Sequence, residues 1–137
     1  MRYFVLNTDK RYVLGAEEDM IKNKKAAAYA DRADQIKRLK DNDNNIVRVF
    51  LYSNENGIIK RGIVKGEVMD ERFTDNKGVT RFEHNISLNN FEDISHNPLT
   101  KDELKVITGI WFSRTLIEIH DKKVGEEVWK EFSARIK

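Results

Sequence analysis

Residues 51–68, LYSNENGIIKRGIVKGEV, constrain the fold more than any other stretch of the sequence. Two apolar, strand-like runs flank a polar segment that ends at Gly57, which predicts an antiparallel pair of strands. The second run contains Gly62 and Gly66, which have no side chain to pack. Glycine inside a strand indicates a sharp bend or the close approach of another backbone. We therefore expect a strongly bent sheet.

The composition is that of a globular protein with one hydrophobic core. The chain has 137 residues, of which 39% are hydrophobic and 35% are charged, and it contains no cysteine. This length suits a single domain, and a chain without cysteine has no disulfide, thiolate nucleophile or cysteine-based zinc site. The apolar run at residues 3–7 is too short for a signal peptide or a membrane span. We expect a cytoplasmic protein with no membrane partner.

The pattern of apolar residues predicts five strands and four helices in the order β, α, α, β, β, β, short α, β, α. Mostly antiparallel strands with helices grouped between them predict an α+β domain over residues 1–137, in which a strongly bent sheet closes into a small β-barrel flanked by helices. The predicted helices span residues 16–24, 31–40, 101–109 and 121–136, and the predicted strands span residues 2–7, 46–53, 57–70, 80–89 and 110–120.

Positive charge is concentrated in one segment. Residues 22–40 contain seven Lys or Arg against two acids, although the net charge of the whole chain is only +2. Such a cluster is typical of a surface that faces a polyanion, and it is also found on ordinary solvated helices. The candidate phosphate contacts are Lys22, Lys24, Lys25, Arg32, Lys37 and Arg38.

Aromatic and small polar residues recur where the predicted elements end. Aromatic rings stack on nucleobases, while Asn, Ser and Thr can form hydrogen bonds with a base edge. Beside a basic helix, these residues predict a pocket for one base. The alternative is that Tyr29, Tyr52 and Trp111 pack in the core. The candidate base-binding residues are Asn7, Thr8, Tyr29, Tyr52, Ser53, Asn54 and Trp111.

The sequence offers little for catalysis. The three histidines, His84, His96 and His120, lack the spacing of metal ligands, and no phosphate-cradling glycine loop or serine nucleophile elbow is found. We expect no metal, no cofactor and no enzymatic activity. An enzyme acting on a nucleotide or RNA would need an acid or base in the pocket, for which the candidates are Asp31, Glu67 and His84.

Two segments of the chain resemble the EVE and YTH-like branch of the PUA-like superfamily. They are NKKAAAYADRADQIKRLKDNDNNIVRVFLYSNENGIIKRGIVKGEV and, near the C-terminus, ITGIWFSRTLIEIHDKKVGEEVWKEF. Gly57-Ile58, Gly62 and Gly66 match the middle of the family pattern, and Arg114-Thr115-Leu116 match its last strand. The resemblance covers most of the chain.

This resemblance implies a bent, largely antiparallel barrel whose concave pocket accepts a base, often a modified one, flipped from a strand. By position it places Asn7 and Thr8 where the first strand enters the pocket, and Tyr29 between the helices. Ser53 and Asn54 lie at a strand end, and Trp111 stands in for an aromatic wall.

The leading hypothesis is a module that binds DNA or RNA and recognises a single flipped-out base, in normal or modified form. The alternative is a protein-interaction or accessory domain with a vestigial pocket. An exposed apolar patch near Trp129 on the last helix would favour the alternative.

Overall fold

The computed structural model describes residues 1–40 and 45–137. These residues form six strands, three α-helices and one 3-10 helix. In chain order the elements are β1 (Arg2–Asn7), α1 (Ala16–Asn23), β2 (Lys25–Tyr29), the 3-10 helix (Ala30–Leu39), β3 (Val47–Ser53), β4 (Gly57–Thr74), β5 (Thr80–Asp93), α2 (Lys101–Thr108), β6 (Leu116–Ile119) and α3 (Lys122–Arg135).

The six strands form one sheet in the order β2-β5-β4-β3-β1-β6. The α+β class and the mostly antiparallel pairing agree with the sequence pattern, but the sheet is open, so the prediction of a closed barrel was wrong. Closure would require the edge strands β2 and β6 to pair, and β6 has only four residues. Barrel closure depends on the stagger between strands, which the alternation of apolar residues does not reveal.

The strand β2 was not predicted from the sequence. Its residues, KAAAY, include three alanines, which have a low strand propensity. In the structure all five residues are buried and pair antiparallel with β5, from Lys25 opposite Ser87 to Tyr29 opposite Glu83. Pairing and burial therefore override the local preference of the alanines.

The central strands β1 and β3 run parallel, in a register from Arg2 opposite Val47 to Asn7 opposite Tyr52. Parallel neighbours need a long crossover connection, because the chain must return to the starting end of the sheet. Here α1, β2 and the 3-10 helix lie in that connection. As a result, the carboxyl ends of β1 and β3 lie side by side.

The two glycines of β4 serve different purposes. A Cβ atom added to Gly62 would lie 2.7 Å from the Cβ of Leu88 on β5, so this position requires the close approach of two strands. Gly66 has a φ of +81°, in the left-handed region that favours glycine. It lies where the register with β5 shifts between Lys65 and Met69, as at a β-bulge.

Apolar residues cover both faces of the sheet. On β1, Phe4 and Leu6 belong to a core cluster with α1 and the 3-10 helix, while Tyr3 and Val5 belong to a second cluster with α2 and α3. This alternation follows from the two-residue repeat of a strand. The sheet is thus the middle layer between two groups of helices, and β1 has one group on each of its faces.

Side-chain caps define the starts of α2 and α3. Thr100 and Glu103 form the predicted capping box of α2, and Gly109 follows its last turn with a φ of +73°. Asp121 caps α3 by accepting hydrogen bonds from the backbone of Lys123 and Val124. Within the two described ranges, no helix has both the length and the apolar character needed to cross a bilayer.

We predict that Gly62→Ala lowers the free energy of unfolding by about 1–3 kcal/mol, because the new methyl group would overpack the β4–β5 contact. Urea unfolding followed by circular dichroism measures this. Lys65→Ala, an exposed substitution on the same strand, is the control and should change stability by less than about 0.5 kcal/mol. Equal stability of Gly62→Ala and the wild type would contradict the prediction.

Candidate nucleic-acid interface

A cleft of about 940 Å³ lies at the carboxyl ends of β1 and β3. Its volume falls in the range of pockets that hold small ligands. Elements from both helical layers complete its walls. The lining residues are Asn7 at the end of β1 and Asp9, Arg11 and Tyr12 in the turn after it; Arg32, Gln35 and Arg38 from the 3-10 helix; Tyr52 near the end of β3 and Asn54 and Glu55 after it; Thr100, Lys101 and Asp102 at the start of α2; and Phe112, Ser113, Arg114, Thr115 and Leu116 before and within β6.

A tight turn after β1 holds Asp9 in place. The backbone N–H of Thr8 donates to the carbonyl of Tyr52 at 3.0 Å, and the N–H of Asp9 donates to the side-chain oxygen of Asn7 at 2.9 Å. Asp9 has a φ of +55°, and its carbonyl accepts a hydrogen bond from the N–H of Tyr12 at 2.9 Å. Aspartate is among the few residues that adopt this left-handed conformation. The turn therefore uses the amide oxygen of Asn7 and leaves the carboxylate of Asp9 available.

Asp9 is a buried residue, but its carboxylate lines the cleft and accepts no hydrogen bond from the described residues. The residue is 6% exposed, and its nearest cation is Arg32, whose Nη1 lies 3.8 Å from Oδ1, too far for a hydrogen bond. Among residues 1–40 and 45–137, no group donates a hydrogen bond to either carboxylate oxygen. Burial raises the pKa of Asp9, and Arg32 partly opposes this rise. The cleft thus contains a strong acceptor with unused capacity.

A second acceptor lies at the end of β3. The side-chain oxygen of Asn54 is buried and has no hydrogen-bond partner in the described part of the chain. Asn54 also lines the cleft. Leaving a buried polar atom unpaired costs about 1–3 kcal/mol, so a ligand that donates a hydrogen bond to Asn54 would remove this cost.

Aromatic rings form one wall of the cleft. Tyr52 and Phe112 are both buried, with their ring centroids 6.4 Å apart and their planes inclined by 39°. Tyr12, on the turn after β1, is 69% exposed and also lines the cleft. These rings offer flat apolar surfaces of the kind on which a base stacks.

Cations outnumber acids around the cleft, by five to three. Arg11 pairs with Glu55 at 3.0 Å, and Arg38 donates to the carbonyl of Leu116 at 3.2 Å. Arg114 is exposed and forms no ion pair with any residue of the two described ranges. The cations are Arg11, Arg32, Arg38, Lys101 and Arg114, and the acids are Asp9, Glu55 and Asp102.

The structure brings three of the predicted base-binding residues together, namely Asn7, Tyr52 and Asn54. Thr8 and Ser53 are fully buried next to them in the chain and do not line the cleft. The hydroxyl of Thr8 donates to the carboxylate of Glu17 at 2.7 Å, so Thr8 stabilises the turn after β1.

The two remaining aromatic candidates lie elsewhere. Tyr29 is buried in the core, where its ring packs on Phe73 at a centroid distance of 5.6 Å. Trp111 is exposed beside the cleft, with the ammonium groups of Lys101 and Lys105 at 5.3 and 5.2 Å from its ring centroid. Tyr29 therefore matches the alternative of a core residue, whereas Trp111 presents its ring to solvent.

Among the predicted phosphate contacts, Arg32 and Arg38 line the cleft, while Lys22, Lys24 and Lys37 are exposed outside it. Lys25 is only 8% exposed, and its ammonium group pairs with Glu83 at 2.7 Å and with Asp19 at 2.9 Å. Lys25 is the first residue of β2, whose five residues are all buried, and the sequence did not reveal this strand. Lys25 is therefore not available to a phosphate.

Several lining residues were missed in the sequence. Asp9, Arg11 and Tyr12 lie between the first predicted strand and the first predicted helix, and Lys101 and Arg114 lie outside the basic cluster. Arg114 reaches the end of β1 because Leu6 pairs with Leu116 and the N–H of Asn7 donates to the carbonyl of Thr115 at 2.8 Å. The Asn7-Thr8-Asp9 run directly after a strand was the one local signal that could have identified Asp9.

The acid–base candidates for catalysis do not line the cleft. Asp31 and Glu67 are exposed elsewhere, and the Nδ1 atom of His84 lies 2.6 Å from Asp70. No group of three or more metal-ligating side chains occurs among the residues that the structure describes.

The fold is similar to that of YTH domains. The Pho92 YTH domain, in a crystal structure with m6A, aligns with a TM-score of 0.64 and 15% identity over 96% of this chain and 82% of that one. The YTH domain-containing protein mmi1, in a complex with RNA, aligns with a TM-score of 0.59 and 12% identity over 95% of this chain and 80% of that one. This chain has a YTH-like fold.

A third similar structure is that of protein PSPTO5229 from Pseudomonas syringae. It has a TM-score of 0.51 and 12% identity, and the alignment covers 98% of this chain and 99% of that one. No protein-family model and no curated protein matches the chain. The three solved structures confirm the predicted YTH-like resemblance at the level of the fold.

We predict that Lys25→Met lowers the free energy of unfolding by about 3–5 kcal/mol, because it leaves the buried Glu83 without its cation. Chemical unfolding at neutral pH measures the loss, and Lys25→Met/Glu83→Gln should recover much of it. Lys24→Met, its exposed neighbour, is the control. A role of Lys25 in phosphate binding would instead lower oligonucleotide affinity at unchanged stability.

Proposed function

We propose that residues 1–137 act as one EVE-like domain that binds nucleic acid and holds a single flipped-out base, in normal or modified form, in the cleft at the ends of β1 and β3. One observation carries this proposal: the same cleft combines an aromatic wall, unused hydrogen-bond acceptors and an excess of cations. The complexes of similar folds with m6A and with RNA support it.

In this proposal the depth of the cleft receives the base. Stacking on an aromatic ring contributes about 1–3 kcal/mol per base, and Tyr52, Phe112 and Tyr12 are the rings within reach. Asn54 and Asp9 would accept hydrogen bonds from the base edge. Extrusion of a base from a strand costs a few kcal/mol, which these contacts would offset.

The exposed cations would contact the phosphates. Arg38, Lys101 and Arg114 surround the cleft, so a strand that inserts one base would pass close to them, and Arg32 lines the cleft next to Asp9. The exposed ring of Trp111 would stack on a neighbouring base. Lys22, Lys24 and Lys37 lie outside the cleft and would contact the phosphates of a longer strand only. Either DNA or RNA would satisfy these contacts. A cytoplasmic location, a binding role without catalysis, and function without metal or cofactor stay predictions.

The alternative of a protein-interaction domain has less support. Its expected apolar patch at Trp129 is not exposed, because the guanidinium groups of Arg48 and Arg61 lie over that ring at 4.1 and 3.9 Å. Trp129 packs against the core cluster beneath α3 instead.

We predict that single-stranded oligonucleotides bind with an affinity that falls as salt rises, since phosphate contacts release counterions. Replacing two cleft cations, in Lys101→Gln/Arg114→Gln, should weaken binding and reduce the slope of log K against log salt by about 1.4, at about 0.7 per phosphate contact. Fluorescence anisotropy at several salt concentrations measures both quantities.

The matched control is Lys65→Gln/Lys123→Gln, which removes two exposed cations that do not line the cleft. It should leave both affinity and slope close to those of the wild type. An equal loss in the two double variants would indicate nonspecific attraction to the whole surface and would contradict a cleft-centred interface.

A further inference from the structure

The carboxylate of Asp9, which accepts no hydrogen bond from the described residues, is the feature of the cleft that a general nucleic-acid interface does not explain. Phosphates are anions, so a buried acid next to their path would weaken their binding. Asp9 nevertheless lies in the cleft with both carboxylate oxygens free of donors from the described residues. This inference rests on the proposed function. If that function holds, the carboxylate of Asp9 accepts hydrogen bonds from the bound base.

The chemistry of Asp9 selects a base edge with adjacent donors. A carboxylate accepts through two oxygens and can hold two neighbouring N–H groups at once. Guanine presents two adjacent donors, N1–H and the N2 amine, on its Watson–Crick edge. Adenine and cytosine place a ring nitrogen acceptor beside their amine, and uracil flanks its single N–H with two carbonyls. Those acceptors would face the negative charge of Asp9.

Arg32 supplies the third element of the match. Its Nη1 lies 3.8 Å from Oδ1 of Asp9, so a donor stands next to two acceptors. The Watson–Crick edge of guanine has the complementary order, with the O6 acceptor followed by two donors. Arg32 is 55% exposed at its side chain, so it can move to reach O6.

We propose that Asp9 and Arg32 read the Watson–Crick edge of guanine and make the cleft selective for this base, including guanine modified away from that edge. The carboxylate accepts from N1–H and N2–H, and the guanidinium donates to O6. The N6-methylated adenine in the Pho92 complex has one N–H beside an acceptor nitrogen, so a different preference is expected for this chain.

A purely structural role for Asp9 is less consistent with its contacts. The ion pair with Arg32 is longer than a hydrogen bond, at 3.8 Å between Nη1 and Oδ1, so it leaves the hydrogen-bonding capacity of the carboxylate unused. The turn itself depends on the backbone of Asp9 and the side chain of Asn7, not on the carboxylate. Asp9→Asn should therefore preserve the turn while removing the charge.

The test compares short oligouridine probes that carry one central guanine, inosine, adenine or cytosine, as RNA and as DNA. Wild-type protein should bind the guanine probe at least about 10-fold more tightly than the adenine probe, the range of one good bidentate contact. Inosine, which lacks the N2 amine, should fall between them. Asp9→Asn should lose this preference while keeping the salt dependence of binding.

Asp31→Asn is the matched control, because it removes an exposed carboxylate from the 3-10 helix that carries Arg32 without touching the cleft. It should retain the guanine preference, and Arg32→Gln should reduce it. Circular dichroism confirms that each variant is folded. Equal affinity for guanine and adenine probes, or a guanine preference that survives in Asp9→Asn, would overturn the inference. Wild-type protein that binds no probe at low salt would overturn the proposed function as well.

Discussion

The parallel ladder between β1 and β3 determines where the cleft lies. Its register puts Asn7 beside Tyr52, so the chain leaves the sheet twice at the same edge. The antiparallel pairing of β6 with β1 brings a third segment, residues 112–116, to that edge. Side chains that are far apart in the sequence thus converge at one end of the sheet, where the two helical layers also meet.

Acidic and basic side chains lie at different depths in the cleft. The carboxylate of the buried residue Asp9 lies inside, whereas Lys101 and Arg114 are exposed at its margin. Exposed arginines interact with phosphates through solvent, and a buried acid interacts strongly only with a donor that enters the cleft. Affinity and selectivity can therefore come from different residues, as in other nucleic-acid interfaces, where phosphate contacts position the ligand and base contacts specify it.

Local signals in the sequence predicted most of the helices and strands but few of the contacts between them. The capping box at Thr100 and the left-handed conformation of Gly66 have local physical causes, and the structure agrees with the sequence at both. The parallel pairing of β1 with β3 and the strand β2 depend on long-range contacts, so periodicity did not reveal them. For the same reason, the sequence could not distinguish the buried Tyr29 from the cleft-lining Tyr52.

Mapping backbone amide NMR shifts during titration with a short single-stranded oligonucleotide tests the central claim most directly. The account predicts that the largest changes fall on residues at the ends of β1 and β3 and near Arg114, including Asp9 and Asn54, with smaller changes along the 3-10 helix. Changes concentrated on the β4–β5 hairpin or on α3, with the cleft residues unaffected, would contradict it.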